Sequence, residues 1–434
     1  MRKFSNVLVF VLLLALFATP IMAYTSDRYD FGHVDFGGAT ITFVAWWNPL
    51  EQFEEGGEFA GRLEEAKELF NIGGFEYIGL PWGEELQETM MSRLMAGDSE
   101  YDFWMLPADY YVPLRSMGAI RPVNDIIDDS YYANMPRQHQ ILADAMGIAG
   151  NRYTFSCFNG IQNNINLLMF NKDLLEREGL PDPYELYLNG EWTWDAVTEM
   201  AVRATRDTNN DGEIDQFGFA DIAVASFIFS NNGDYTKQVD GKVIYCADMP
   251  ETVEAVKKVR ELRHELNVQG GTWRREVFFE GRAAFATMQT YEINNIMDSL
   301  EDRFGFLPMP KGPHAADYVY SSSADSLVIP VNAAKPKEMI ALDNFLFRVD
   351  EFLEDQERGF IERAQDQVTY QVLTESVEKW NGKIHLYGGI LGPDWSGIWG
   401  EAFQAIMNGE KTAAAALAEI APVAQSMLDD ALNQ

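Results

Sequence analysis

A chain of 434 residues is long enough for two domains of ordinary size, each with its own core. With 47% hydrophobic and 13% aromatic residues it folds rather than staying disordered. The balance of 33 Lys and Arg against 67 Asp and Glu leaves a net charge of −34, a field that repels phosphate backbones and anionic headgroups and so argues against nucleic acid or a membrane surface as partner.

Residues 1–23 read as a secretory signal, with Arg2 and Lys3 before an apolar run at 7–17 and an imperfect cleavage site at Ile21-Met22-Ala23. The run is shorter than the roughly 17–25 residues a membrane span needs; a signal anchor is the alternative. Residues 39–45 form a first predicted strand, and Trp46-Trp47-Asn48-Pro49 is the loop at its C-terminal end. Ligands bind at that edge of open α/β sheets. Neighbours on an extended chain point to opposite faces, so at least one of the two tryptophans meets solvent or ligand. A helix is predicted over 59–70, a strand over 75–80, and a helix over 84–96 with Leu86, Met90, Met91 and Leu94 inward. The strand at 101–106 leads through Pro107-Ala108-Asp109 into a helix at 110–117 that Gly118 stops. Asp109 either caps that helix or presents a carboxylate at this ligand-binding edge, and the two roles can coexist. Residues 152–158 read as a strand making the first crossing into a second lobe.

The apolar strand at 166–170 is followed by Asn171 as N-cap of a helix over 173–178, which Gly179, Pro181 and Pro183 end. Trp192-Thr193-Trp194-Asp195 opens the next helix, with Thr193 as cap and Val197, Met200 and Ala201 on one face. An acidic loop at 207–215 precedes a second short strand, and a turn falls at Asn231-Asn232-Gly233-Asp234. A helix over 250–266 aligns Val253, Val256, Val259 and Leu262. Strands are predicted at 304–310 and 326–330, a returning helix at 336–347, and a closing helix at 413–432.

Phe170-Asn171-Lys172-Asp173-Leu174, the Trp-Thr-Trp helix start and the Asp/Asn/Gly loop stand in an order that resembles the extracellular solute-binding proteins of sugar-type ABC importers, the maltose- and oligosaccharide-binding family. Val277-Phe278-Phe279-Glu280-Gly281-Arg282-Ala283-Ala284-Phe285 resembles the family's Phe-x-x-Gly-Lys-Ala-Ala-Met segment, with Arg282 and Phe285 as variants. Where the family continues with Gly-x-Trp, this chain has Gln289-Thr290-Tyr291. The Pro-Lys-Gly stretch at 310–312 and Ile406-Met407-Asn408-Gly409 before an Ala-rich helix extend the resemblance. It implies a two-lobed, periplasmic-binding-protein-like α/β fold, each lobe a mostly parallel sheet flanked by helices, joined by about three hinge crossings. The expected N-terminal lobe comprises 24–153 and 324–388, the C-terminal lobe 154–323 and 389–434. It also implies capture of a sugar or oligosaccharide between the lobes and delivery to an ABC permease. The chain would act as an exported monomer, in the periplasm or at the outer cell surface, with no required cofactor. Many members carry a lipid-modified cysteine at the cleavage site; here the only cysteines are Cys157 and Cys246, whose states as buried thiols or a disulfide both stay open.

Sugar recognition needs flat apolar faces for the ring and polar side chains for the hydroxyls. The candidate ligand-binding residues are Trp46, Trp47, Asp109, Asn231, Tyr291, Trp395 and Trp399, while Trp192 and Trp194 read as structural. In the acidic loop Asp207, Asn209, Asp211 and Asp215 fall at positions 1, 3, 5 and 9 of a calcium loop, Gly212 at 6 and the Glu213 carbonyl at 7. Gly218 replaces the acid expected at position 12, and a hydrogen-bonded Asx turn is the alternative to a structural calcium. No Gly-x-Ser-x-Gly elbow, His-Glu-x-x-His or phosphate-cradling Gly-Lys-Ser/Thr occurs, and the five His show no metal-ligand spacing. The reading is therefore not an enzyme; a secreted glycoside hydrolase using an unmarked carboxylate pair is the runner-up.

Overall fold

A computed structural model describes residues 23–432 apart from 27, 58, 82–83, 149, 157–160 and 272–274. The expected leader thus lies outside the described residues, except for Ala23, and so does Cys157. The chain begins with a hairpin of β1 (Ala23–Thr25) and β2 (Asp30–His33), whose Tyr24 and Phe31 stack on each other. β3 (Thr40–Ala45), β4 (Gly74–Gly79) and β5 (Asp102–Pro107) run parallel, linked by helices Arg62–Phe70 and Glu84–Ala96. Successive side chains of β5 enter opposite cores: Phe103 and Met105 join one apolar cluster, Trp104 and Leu106 the other.

The second lobe is built from β6 (Asn166–Asn171), β7 (Phe217–Phe219), a hairpin of β8 (Thr236–Val239) and β9 (Lys242–Tyr245), β10 (Ala283–Gln289) and β11 (Phe304–Pro308). The chain then returns to the first sheet as β12 (Asp325–Val328), antiparallel to β5. Strand orders are β12-β5-β3-β4 and β11-β6-β10-β7. In each sheet three strands share a direction and one opposes it. The opposed β12 lies at an edge, whereas the opposed β6 lies inside and pairs antiparallel on both sides. The fold is α/β and two-lobed, as the sequence predicts.

Three segments lie side by side between the sheets. The amide of Asn166 donates to the Ser321 carbonyl at 2.9 Å, that of Ser323 to Asn164 at 3.1 Å and that of Ser322 to Lys383 at 2.9 Å. The predicted strand at 152–158 is not one over its described part: residues 152–156 join no ladder. Side chains take the place of a partner strand, the Tyr132 and Tyr131 hydroxyls each donating at 2.7 Å to the carbonyls of Thr154 and Phe155.

The expected lobe boundary also meets a correction. Helix Gln367–Lys379, placed by that boundary in the first lobe, packs on β11 of the second sheet. Its Val372 and Leu373 share a core cluster with Phe304 and Phe306, and Asp366 before it pairs with Lys172 at 2.9 Å. An apolar strand face needs cover, and this returning segment supplies it. The closing helix likewise reaches the first lobe, where Arg115 Nη1 donates to the Ala431 carbonyl at 3.4 Å. No helix among the described residues is long and apolar enough to cross a membrane.

Candidate functional site

A cavity of about 770 Å³ opens between the two sheets. Its first-lobe wall comes from strand ends. Trp46 and Trp47 follow β3 directly; Trp46 is half-buried and Trp47 is 38% exposed, the division that alternation predicts. β5 ends at Pro107, and Ala108 donates its amide to the Ala324 carbonyl at 2.8 Å, tying this strand end to a connecting segment. Asp109 is the second residue of helix Ala108–Ser116, whose N-cap is Pro107; Asp109 is therefore not the cap. Gly388 and Gly389 press against it. A Cβ on Gly388 would stand 2.6 Å from Asp109 Oδ1, and one on Gly389 would stand 1.7 Å from the Asp109 carbonyl oxygen. Only glycine admits so close an approach.

The second-lobe wall mirrors the first. Gln289 ends β10 and donates through Nε2 to Ser323 Oγ at 2.7 Å; Tyr291, two residues on, is 41% exposed. Asn166 opens β6 and donates to Ser321 Oγ at 3.1 Å. Helix Val224–Ser230 after β7 contributes Ala225, Ser226 and Phe229. Asn164, Ser322, Ser323 and His385 of the connecting segments, with Asp325 at the start of β12, complete the lining.

Charge in the cavity is one-sided. Burial, then the nearby Asp394, raises the Asp109 carboxyl to about 6. Burial, then Asp109, raises Asp325 to about 7. Burial holds the His385 imidazole down at about 4, so it is neutral near pH 7. That ring stacks on Tyr235 with centroids 3.7 Å apart, and its Nε2 has no hydrogen-bond partner among the described residues. No Lys or Arg is among the described residues bordering the cavity.

The structure thus brings Trp46, Trp47, Asp109 and Tyr291 to one place. Asn231, Trp395 and Trp399 are corrections. Asn231 is buried; its Nδ2 donates to the Glu251 carbonyl at 2.7 Å and its Oδ1 accepts from the His314 amide at 3.0 Å, so it ties a turn to two other segments. Trp399 is 0% exposed on the inward face of helix Gly397–Met407, donating to Asp394 Oδ1 at 2.9 Å and packing on Tyr235. Trp395 is 63% exposed and does not border the cavity. Sequence reasoning missed Asp325 and His385. A strand predicted to begin at Ser326 puts Asp325 at its entry, which was the available signal; a lone histidine offers none.

Trp192 and Trp194 are buried, with indole N–H groups on the Pro308 carbonyl at 2.8 Å and Ser230 Oγ at 3.1 Å. In the acidic loop, Asp207 accepts from the amides of Asn210 at 2.6 Å and Gly212 at 2.8 Å, and Asp211 from Glu213 at 2.9 Å. Asn209 accepts from Asp211 at 2.8 Å, and Asp215 from Thr208 at 2.8 Å. Among the described residues no group of three or more His, Cys, Asp or Glu is placed to hold a metal ion. Cys246 is buried, its thiol pushed up to about 12 by that burial.

The family model described as "Bacterial extracellular solute-binding protein" matches residues 75–351. Among solved structures, the maltose/maltodextrin-binding domain MalE of Bdellovibrio bacteriovorus, bound to maltotriose, is similar with a TM-score of 0.63 at 17% identity, over 91% of this chain and 100% of that one. An ABC transporter solute-binding protein of Thermotoga lettingae bound with α-D-tagatose gives 0.63 at 17% identity, over 90% and 99%. One from Agrobacterium radiobacter in complex with ribitol gives 0.60 at 17%, over 91% and 100%. The match over 75–351 covers well over half of the sequence, and the chain belongs to the bacterial extracellular solute-binding protein family, whose members bind solutes rather than catalyse reactions.

Proposed function

We propose that this protein captures a carbohydrate between its lobes and hands it to the membrane permease of an ABC importer, acting as a monomer outside the cytoplasmic membrane. The observation that carries the reading is the composition of the cavity wall. Trp46, Trp47 and Tyr291 offer flat apolar faces, while Asn164, Asn166, Gln289 and the serines at 322 and 323 offer uncharged hydrogen-bonding groups. A pyranose has the same two-sided chemistry, C–H faces and a rim of hydroxyls. The similar proteins bound to maltotriose, tagatose and ribitol support a polyhydroxylated solute.

The acidic loop enters this reading as a turn that satisfies its own carboxylates, with structural calcium as the alternative. One thermal-shift series tests both. A bound saccharide at 100 times its Kd adds roughly 2.7 kcal/mol of stability and raises Tm. Millimolar calcium added to chelator-treated protein should leave Tm where it was. A panel of mono- and oligosaccharides that moves Tm nowhere sinks the carbohydrate reading, and new reducing ends from an oligosaccharide would revive a hydrolase.

A further inference from the structure

We propose that the solute is a cationic saccharide, one bearing a free amine whose ammonium sits between Asp109 and Asp325. This rests on the carbohydrate reading above and narrows it. The two acids arrive at the same edge of the first sheet: Asp325 opens β12 in register with Pro107, and Asp109 stands two residues beyond Pro107. Both border the cavity. The influences acting on them are burial and another acid, Asp394 for Asp109 and Asp109 for Asp325. Neither carboxylate has a hydrogen bond or a basic partner among the described residues.

The arginines near this region are engaged elsewhere. Arg275 pairs with Glu292 and lies 3.9 Å from Asp221. Arg263 donates to the Ile222 carbonyl at 2.5 Å and stands over the Phe403 ring. His385 borders the same cavity, buried and neutral, and so adds no charge to offset the acids.

Hydroxyls of a neutral sugar can donate to both acids but bring no positive charge to offset theirs. An ammonium donates three hydrogen bonds and cancels one of the charges, so it offsets far more of the cost of burying them. Aromatic faces at Trp46, Trp47 and Tyr291 border the same space and attract a cation as well as a sugar ring. A uronic acid or sugar phosphate meets only repulsion there.

Titration calorimetry with matched panels tests the proposal: glucosamine, galactosamine and their β-1,4-linked oligomers against the N-acetylated and hydroxyl counterparts. The expected result is affinity for the free amines about tenfold or more above their neutral partners. Asp325→Asn should bring the affinities of each free amine and its neutral partner together, and a preference that survives the substitution overturns the proposal. Equal affinity for charged and neutral members overturns the cationic proposal and leaves the carbohydrate reading standing. Binding of a polyamine such as spermidine but of no saccharide overturns both.

Discussion

Asp325 shows at the scale of one residue how a charge buried at a cavity costs stability. A carboxyl raised from 3.8 to about 7 is one whose charge the folded protein disfavours. The folded chain therefore holds more protons than the unfolded chain between pH about 4 and about 7, and stability falls as pH rises through that window. The penalty is absent below the lower value and complete above the upper one. Its ceiling is roughly 4 kcal/mol, discounted because the side chain borders an open cavity. Asp325→Asn removes the charge, so the ligand-free variant should melt above the parent at pH 8, with the gap closing toward pH 4. A variant no more stable than the parent at pH 8 would show that the carboxylate carries no strain. Asp109, raised to about 6, follows the same sign in a narrower window.

Helices were legible wherever apolar spacing and a cap agreed. Glu84–Ala96 is the helix predicted over 84–96, and Thr193 accepts from the Ala196 amide as the cap it was read to be. Periodicity gives out where the backbone departs from 3.6 residues per turn: helix Pro250–Arg260 continues as a π turn over Glu261–Glu265, yet Leu262 stays buried with Val253, Val256 and Val259. Helix Gly397–Met407 carries the clearest test of placement against composition. Trp399 reads from sequence like Trp47, an aromatic near a loop, but it lies in the core. Trp399→Ala should lower the melting temperature, at a cost of roughly 3–5 kcal/mol. Trp47→Ala should leave the melt of the free protein nearly unchanged and weaken saccharide binding by roughly 1–3 kcal/mol. The reverse pattern would mean that the cavity has been assigned the wrong wall.

Over the whole molecule, the two sheets meet through three adjacent segments, and the cavity lies where they meet. Such a connection lets a ligand that touches both walls draw the lobes together by small backbone rotations. Saturating saccharide should then reduce the radius of gyration in solution scattering. An unchanged scattering profile under saturating ligand would count against the hinge motion.

Local chemistry decided much of this protein before any tertiary contact is considered. Alternation and helical spacing, the Asn171 and Thr193 caps and glycine stops are properties of neighbouring residues, so strands and helices could be read from the chain, while the two-lobed α/β order came from the family resemblance of its motifs. The position of Trp46, Trp47 and Asp109 just beyond strand ends was legible too, and that edge borders the cavity. What the sequence leaves open is which distant segments converge. That Asp325 and His385 join Asp109 at one cavity, that Gly388 and Gly389 press against Asp109, and that helix Gln367–Lys379 crosses back to cover β11 depend on contacts between residues far apart in sequence. No local pattern encodes those contacts; burial of the apolar faces of both sheets at once selects them.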